Sequence, residues 1–246
     1  MRQNNAKVAL VTGASRGIGM AIAERLARDG FKLIINYSEN AAPAEALVRK
    51  LEGAGGHAIA VKADISDPSA VRKMFDAAEA AFGAIDVLVN NAGIMALAPI
   101  AETDDASFDR HIAVNLKGTF NTLREAAKRL RDGGRIVNFS SSVVARLIPT
   151  YGAYIASKAA VEGLTSVLAK ELRGRNITVN AVAPGPTATD LFLKGKPQDV
   201  VDSLAKMAPL ERLGQPNDIA DVVSFLAGPD GAWVNGQVLR VNGGLI

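Results

Sequence analysis

The sequence predicts an α/β protein with a doubly wound, parallel, seven-stranded sheet and helices on both of its faces. Short apolar runs rich in β-branched residues alternate with longer segments of helical periodicity along the 246 residues. The first six short runs are mostly continuous rather than alternating, as in strands that are buried on both faces of a parallel sheet. No repeat, charge block or linker divides the chain, so we expect a single domain over residues 1–246.

The strands and helices are placed by these patterns and by residues that start or stop helices. The predicted strands are Val8–Thr12, Leu33–Tyr37, Ala58–Val61, Ile85–Asn90, Ile136–Phe139, Ile177–Ala183 and Val238–Val241. The predicted helices are Ile18–Asp29, Pro43–Gly53, Ser69–Phe82, Phe108–Leu130, Ala153–Arg173 and Asn217–Ala227. Gly30 and Gly83 follow helices, and Asp67 with Pro68 provides an N-cap and a first-turn proline.

One segment breaks the alternation of strands and helices. Residues Gly185–Gln215 are rich in Pro, Gly and Thr, with a short helix predicted near Asp199–Met207. Long insertions in compact domains usually form lids or binding loops. We therefore expect a substrate loop or lid at about residues 185–215.

The composition excludes several kinds of site. The chain has no cysteine, which excludes thiolate nucleophiles and cysteine-ligated metals, and its only histidines are His57 and His111, so we expect no metal site. The 28 basic and 25 acidic residues are interspersed, which favours a solvated surface over a nucleic-acid partner. No apolar run approaches about 18 residues and Met1–Lys7 is polar, so we expect a cytoplasmic protein without a membrane partner.

A glycine-rich turn follows the first predicted strand. Gly13, Gly17 and Gly19 let the backbone turn tightly and approach a pyrophosphate, whose charge is met by free N–H groups and the positive end of the next helix. A glycine triplet alone is weak evidence, but at the first strand–helix junction of an alternating chain it predicts a dinucleotide site. The predicted contacts are Gly13, Ser15, Arg16, Gly17, Ile18 and Gly19.

The turn TGASRGIG resembles the TGxxxGIG motif of the short-chain dehydrogenase/reductase family, and later motifs extend the resemblance over essentially the whole chain. The family has a Rossmann-type fold and binds a nicotinamide cofactor. The resemblance implies that Asp64 and Ile65 contact the adenine, although Asp64 is equally suited to a turn or a helix cap. It also implies cofactor contacts from Asn91, Ala92 and Gly93, with Asn90 structural.

The end of the second predicted strand indicates which cofactor is preferred. Many nucleotide folds place an acid there that binds the ribose 2′-hydroxyl and repels a 2′-phosphate, and here that position holds Tyr37. Arg16 offers a planar cation for the phosphate, with Asn36 and Ser38 as further donors. NADP(H) is therefore predicted, while Glu39 is an acid that would oppose it if it turned inward.

The predicted catalytic residues are Tyr154, Lys158, Ser141 and Asn115. Tyr154 and Lys158 have an i, i+4 spacing on a predicted helix, so they share one face, and a neighbouring cation would stabilise a tyrosine anion. The family has a serine thirteen residues before its tyrosine, which selects Ser141, with Ser142 as the alternative. Asn115 matches the family asparagine that bends its helix and holds a water for proton relay, and a purely structural bond is the alternative.

The segment after the sixth strand and the flanks of the motifs complete the predicted site. Pro184, Gly185, Thr187 and Thr189 resemble the family segment that contacts the nicotinamide carboxamide, although in such a segment they also suit simple turns. The predicted substrate pocket is mainly apolar and comprises Ile94, Met95, Val143, Ile148, Tyr151, Leu191 and Phe192.

These residues predict hydride transfer between NADP(H) and a carbonyl/alcohol pair. The overall resemblance is to β-ketoacyl-(acyl carrier protein) reductases and glucose-dehydrogenase-like members, so a ketone or β-ketoacyl thioester is expected, with a sugar or alcohol as the alternative. A nucleotide-sensing scaffold without catalysis is the alternative of another class, and an intact proton path argues against it. The resemblance also implies a homotetramer that packs through Phe108–Leu130, Ala153–Arg173 and Gly236–Ile246.

Overall fold

In the computed structural model, which describes residues 6–246, seven strands form one parallel sheet in the order β3-β2-β1-β4-β5-β6-β7. The predicted fold class is confirmed. The strands are β1 Val8–Val11, β2 Lys32–Tyr37, β3 Ala58–Lys62, β4 Val87–Asn90, β5 Arg135–Phe139, β6 Thr178–Pro184 and β7 Val238–Val241.

Helices cover both faces of the sheet. They are α1 Gly17–Arg28, α2 Ala41–Gly53, α3 Pro68–Phe82, α4 Asp105–His111, α5 Thr119–Arg129, α6 Val143–Arg146, α7 Gly152–Glu171, α8 Asp190–Leu193, α9 Gln198–Lys206 and α10 Pro216–Ala227. Because successive side chains of a strand point to opposite faces, Ala9 and Val11 pack in the core under α1, α2 and α10, whereas Val8 and Leu10 pack in the core under α3, α5 and α7.

The predicted helix Phe108–Leu130 is present as one uninterrupted helical run whose hydrogen-bonding pattern changes in the middle. It consists of α4, a π-helical segment Ile112–Gly118 and α5. A side chain at Gly118 would bring a Cβ within 2.7 Å of the Ile65 side chain, so a glycine lets this helix lie close to the end of β3. The wider π turn carries Asn115, and such turns are frequent at functional sites.

The order of the strands places a crevice at the carboxyl ends of β1 and β4. From β1 the chain proceeds to β2 and β3 on one side, and from β4 it proceeds to β5, β6 and β7 on the other. The loops after β1 and β4 therefore separate, which is where open α/β sheets bind their ligands. Gly13 follows β1 and Asn91 follows β4 at this crevice.

Candidate active site

A cavity of about 510 Å³ occupies the crevice and extends from the end of β2 to the lid segment. All residues predicted to contact cofactor or substrate line it, as do Ser141, Tyr154 and Lys158. Asn115 does not line the cavity and is buried behind its wall. The topology thus brings together residues that lie far apart in the sequence.

The glycine turn is held in shape by backbone and amide contacts. Gly13 and Gly17 have φ values of 60° and 55°, which L side chains rarely adopt. A Cβ at Gly19 would lie 2.4 Å from the carbonyl oxygen of Gly13, so this close approach requires glycine. The Nδ2 of Asn91 donates to the carbonyl oxygens of Thr12, at 2.9 Å, and Gly13, at 3.0 Å. The first turn of α1 therefore presents its N–H groups to the cavity.

Asn36 differs from the expectation that it donates to a phosphate. Its Oδ1 accepts a hydrogen bond from the Gly13 N–H at 3.2 Å, and its Nδ2 faces the carbonyl oxygens of Tyr37, Val61 and Ala63. The side chain is buried. Asn36 therefore fixes the glycine turn against β2 and β3, and its donors are already used.

The nucleotide end of the cavity contains Arg16, Tyr37, Ser38 and Glu39. Arg16 is exposed, and its guanidinium has no hydrogen-bond or ion-pair partner within residues 6–246. Its guanidinium is thus available to a phosphate. Glu39, the acid that would oppose binding of a 2′-phosphate, also lines this part of the cavity. It lies beyond Tyr37, at the start of the connection to α2.

Asp64 has a turn role and also lines the cavity. Its Oδ1 accepts hydrogen bonds from the Ser66 N–H, at 2.9 Å, and the Ser66 hydroxyl, at 2.8 Å. Asn90 is structural, as predicted: its Nδ2 donates to Asn138 and its Oδ1 accepts from Thr122, all in the buried interior.

Tyr154 lies in the centre of the cavity wall, near the start of α7. Burial raises the pKa of its phenol to about 12, and a hydrogen bond with the Ser141 hydroxyl acts in the opposite direction. The phenol is therefore protonated at neutral pH and can donate a proton. Ser141 faces the same space from the end of β5, where it can bond to an oxygen that approaches Tyr154.

Lys158 lies one helical turn after Tyr154 and is 4% exposed. Its Nζ donates to the carbonyl oxygen of Phe139 at 2.8 Å and lies 5.9 Å from the centre of the Tyr154 ring. Burial lowers the pKa of Lys158 to about 8. The sequence led us to expect that Lys158 lowers the pKa of Tyr154. In the protein alone that pKa is raised, because burial dominates and the ammonium is directed at Phe139.

Ser142, the alternative to Ser141, has a structural position. Its hydroxyl donates to the carbonyl oxygen of Ala183 at 3.0 Å and accepts from the Nδ2 of Asn242 at 3.1 Å. Asn242 follows β7, and a Cβ at Gly185 would lie 2.7 Å from the Asn242 Cβ. This contact holds the ends of β5, β6 and β7 together beside the site.

Asn115 uses its side chain to hold the loop after β4. Its Oδ1 accepts from the Ile94 N–H at 2.8 Å, and its Nδ2 donates to the Ile94 carbonyl, at 3.0 Å, and to the Ser157 hydroxyl, at 3.1 Å. A Cβ at Gly93 would lie 3.3 Å from Asn115 Oδ1 and 3.5 Å from Lys158 Nζ. The structural bond considered for Asn115 is therefore present, and Asn115 lies beside the lysine.

His111 supports the same loop, and sequence reasoning gave it no role. Its Nε2 accepts from the Ala96 N–H at 3.1 Å and its Nδ1 lies 2.8 Å from the Ser107 carbonyl oxygen, which requires the neutral ring with a proton on Nδ1. The ring packs edge-on against Tyr154, with centroids 6.4 Å apart. The one signal in the sequence that could have indicated this role is the position of His111 four residues before Asn115.

The predicted lid, Gly185–Gln215, contains the short helix predicted within it, which is α9, and also α8. A backbone bridge between Thr187 and Gly214 closes its base. The hydroxyl of Thr189 accepts from the Phe192 N–H and caps α8, and a Cβ at Gly17 would lie 3.5 Å from the Thr189 methyl group. The lid thus begins directly above the glycine turn.

The fold and this arrangement define a dinucleotide-binding α/β protein with a tyrosine–lysine–serine site. Residues 13–246 match the family model described as enoyl-(acyl carrier protein) reductase. The chain is 51% identical to a short-chain type dehydrogenase/reductase of Picea abies, over 98% of this chain and 92% of the relative. It belongs to the short-chain dehydrogenase/reductase family.

A second relative and a solved structure agree with this assignment. An NADPH-dependent aldehyde reductase-like protein, chloroplastic, of Arabidopsis thaliana is 48% identical over 98% of this chain and 94% of its own length. The crystal structure of a short-chain dehydrogenase from Burkholderia cenocepacia in complex with NADP superposes with a TM-score of 0.92 at 40% identity, covering 100% of this chain and 99% of the other.

Within residues 6–246, no helix has the length and apolar character needed to span a bilayer.

Proposed function

We propose that this protein reduces a ketone or a β-ketoacyl thioester, with Tyr154 as the proton donor. The chain is an NADP(H)-dependent oxidoreductase of the short-chain dehydrogenase/reductase family. The observation that carries the proposal is the position of Tyr154, Ser141 and Lys158 in the wall of the cavity that also contains the glycine turn.

The residues present fit a dinucleotide with a 2′-phosphate. The turn at Gly13–Gly19 and the start of α1 would hold the pyrophosphate, because their N–H groups face the cavity and glycine leaves room for close approach. Arg16 would pair with the 2′-phosphate beside Tyr37. Gly185 and Thr187 would lie beside the carboxamide, and Lys158 beside the ribose hydroxyls. When bound, NADPH supplies the hydride for the carbonyl carbon.

The proton path starts at the Tyr154 hydroxyl. The hydroxyl is protonated at neutral pH because burial raises its pKa to about 12, so it can donate to the substrate oxygen as negative charge develops there. The Ser141 hydroxyl, bonded to Tyr154 in the protein alone, would turn to the same oxygen and stabilise that charge. In the oxidation direction the same groups act in reverse.

Lys158 and Asn115 would restore the proton. Lys158 has a pKa of about 8, so its ammonium can give up a proton near neutral pH, and its Nζ lies against the Tyr154 ring. Asn115 would act as a positioning residue, because its amide holds Ile94 and its π-helical turn lies beside Gly93 and Lys158, where a relay water would have to bind.

The lining of the cavity and the burial of Lys158 argue against two other functions, a sugar or alcohol dehydrogenase and a nucleotide-sensing scaffold. The family includes NAD(P)-dependent sugar and alcohol dehydrogenases, but the walls at Ile94, Met95 and Ile148 are apolar, which favours a ketone with an aliphatic or aromatic body. A nucleotide-sensing scaffold would need no buried lysine beside a tyrosine. The burial of Lys158 has a cost in stability, which favours catalysis over sensing.

We further propose a homotetramer and a single domain over residues 1–246. Exposed apolar side chains on the elements expected to pack support the assembly: Phe120 on α5 is 45% exposed, Val167 on α7 is 54% exposed and Ile246, at the end of the C-terminal segment, is 45% exposed. A cytoplasmic location and the role of the lid in covering substrate remain predictions. Light scattering of the purified protein tests the assembly, and a protein that stays monomeric would contradict it.

Turnover tests the function. Oxidation of NADPH, followed by its absorbance, is measured with acetoacetyl thioesters, cyclic and aromatic ketones and aldehydes, and the oxidised cofactor is used with sugars and alcohols. We expect reduction of one ketone class, abolished in Tyr154→Phe and retained in Ser142→Ala. A Tyr154→Phe variant with wild-type turnover would instead support the scaffold.

A further inference from the structure

Two arginines at the substrate end of the cavity have no part in the mechanism above. Arg110 lies in the last turn of α4, Arg146 is the last residue of α6, and both line the cavity. Neither guanidinium has a hydrogen-bond or ion-pair partner within residues 6–246. Away from the cavity, arginines such as Arg129 and Arg212 are paired with carboxylates.

Arg146 acts on a tyrosine next to the proton donor, and Arg110 lines the same cavity. The charge of Arg146 lowers the pKa of Tyr151, although burial of that phenol raises it by more. The rings of Tyr151 and Tyr154 pack edge-on with centroids 6.4 Å apart, so the tyrosine on which Arg146 acts is in contact with the proton donor. Arg110 directly precedes His111, whose ring also packs against Tyr154.

The other charged groups of the cavity are distributed unevenly. Glu39, Asp64 and Arg16 belong to the nucleotide end, after β2, after β3 and before α1, and Lys158 lies beside Tyr154. The remaining acid that lines the cavity is Asp190, at the exposed start of α8 and next to Thr189, which lies beside Gly17. Two unpaired guanidinium groups beside apolar walls suit an anion on an apolar body, because a guanidinium binds a carboxylate or a phosphate through two parallel hydrogen bonds.

We propose that the substrate is a ketone or aldehyde that carries a carboxylate or phosphate group, and that Arg110 and Arg146 bind this group while the carbonyl lies at Tyr154. The inference rests on the proposed function and specifies its substrate. It also makes Arg110 and Arg146 specificity-determining residues. The apolar part of the substrate lies between the two ends, against Ile94, Met95 and Ile148.

The test compares 4-acetylbenzoate with its methyl ester, and 4-acetylphenyl phosphate with 4-methoxyacetophenone, as substrates with NADPH. We expect kcat/KM to favour an anion by about 10- to 100-fold, the usual effect of a charged hydrogen bond. Arg110→Gln and Arg146→Gln should remove this preference mainly through KM and leave the neutral ketones within about twofold. Arg146→Lys should retain part of it, and Arg72→Gln, on the exposed face of α3, should retain all of it.

Binding separates failure of the inference from failure of the proposed function. Affinity of 4-acetylbenzoate and its ester for Tyr154→Phe with NADP⁺ is measured by calorimetry, which needs no turnover. Tighter binding of the anion that disappears in the Arg146→Gln background supports the inference even if neither ketone is reduced. The inference would be overturned if acid and ester had equal kcat/KM and equal affinity, or if the preference for the acid were unchanged in both arginine variants. In either case, reduction of the ester would still support the proposed ketone reductase activity. A preference for only one of the two anions identifies which group is recognised.

Discussion

Replacing the buried lysine of the active site should stabilise the protein while it abolishes turnover. Lys158 is 4% exposed, and burial lowers its pKa from 10.5 to about 8. At 1.36 kcal/mol per pH unit, keeping this ammonium in the folded protein at pH 7 costs about 3 kcal/mol relative to the unfolded chain. The Lys158→Met substitution removes this cost and nearly conserves the volume.

The same substitution leaves the carbonyl oxygen of Phe139 without its donor, which costs about 1 kcal/mol. Lys158→Met should therefore be about 2 kcal/mol more stable at pH 7. For 246 residues this corresponds to a rise of about 4 °C in Tm. The assay is thermal and urea unfolding of protein freed of nucleotide, with the exposed Lys170→Met on the same helix as a control that changes stability by less than about 0.5 kcal/mol.

The advantage of methionine should depend on pH. Because the folded pKa lies below the unfolded one, the unfolded chain binds more protons between pH 8 and pH 10.5, and the wild type gains stability as the pH rises through this window. Near pH 9.5 the advantage of Lys158→Met should fall to about zero. The reasoning would be refuted if Lys158→Met were less stable than the wild type at pH 7, or if it were more stable by the same amount at pH 7 and at pH 9.5.

Four further outcomes are expected. Tyr154→Phe should reduce kcat by about 10²- to 10⁴-fold and leave NADPH affinity unchanged in a fluorescence titration, because only the donated proton is lost. Ser141→Ala should reduce kcat by about 10²-fold, whereas Ser142→Ala should retain activity and lose about 1 kcal/mol in urea unfolding. Arg16→Ala should raise the KM for NADPH about tenfold or more and leave that for NADH unchanged; equal changes for both would place the 2′-phosphate elsewhere. Steady-state reduction should decline as the pH rises above about 8, because the Lys158 ammonium loses its proton, and a flat profile to pH 10 would exclude a role for its charge.

The sequence was informative where one short motif determines both the backbone and the chemistry. Gly13, Gly17 and Gly19 adopt the turn that their spacing predicted, and Tyr154 and Lys158 share a helix face because a turn of helix separates them. The positions at strand ends were also predictable, since the carboxyl ends of parallel strands meet at one edge of the sheet.

The sequence was less informative where long-range packing decides what a side chain does. Asn36 was expected to face a phosphate, but it lies within β2 beside Gly13 and supports the turn instead. The π-helical segment around Asn115 ends at Gly118, which packs against Ile65 from the end of β3, and no motif in the sequence indicated this contact. His111 and Arg146 belong to no motif, and only the folded chain places them beside Tyr154 and Tyr151.

The contact between Asn242 and the start of the lid determines how this protein can be shortened or fused. Asn242 bonds to the Ser142 hydroxyl and packs on Gly185, while the Gly185 N–H donates to the carbonyl of Val241 and Leu245 lines the cavity. Removing residues 242–246 would leave every strand in place and yet take one wall from the catalytic chamber. A fusion partner or surface linker joined directly after Ile246 would therefore be attached next to a wall of the cavity.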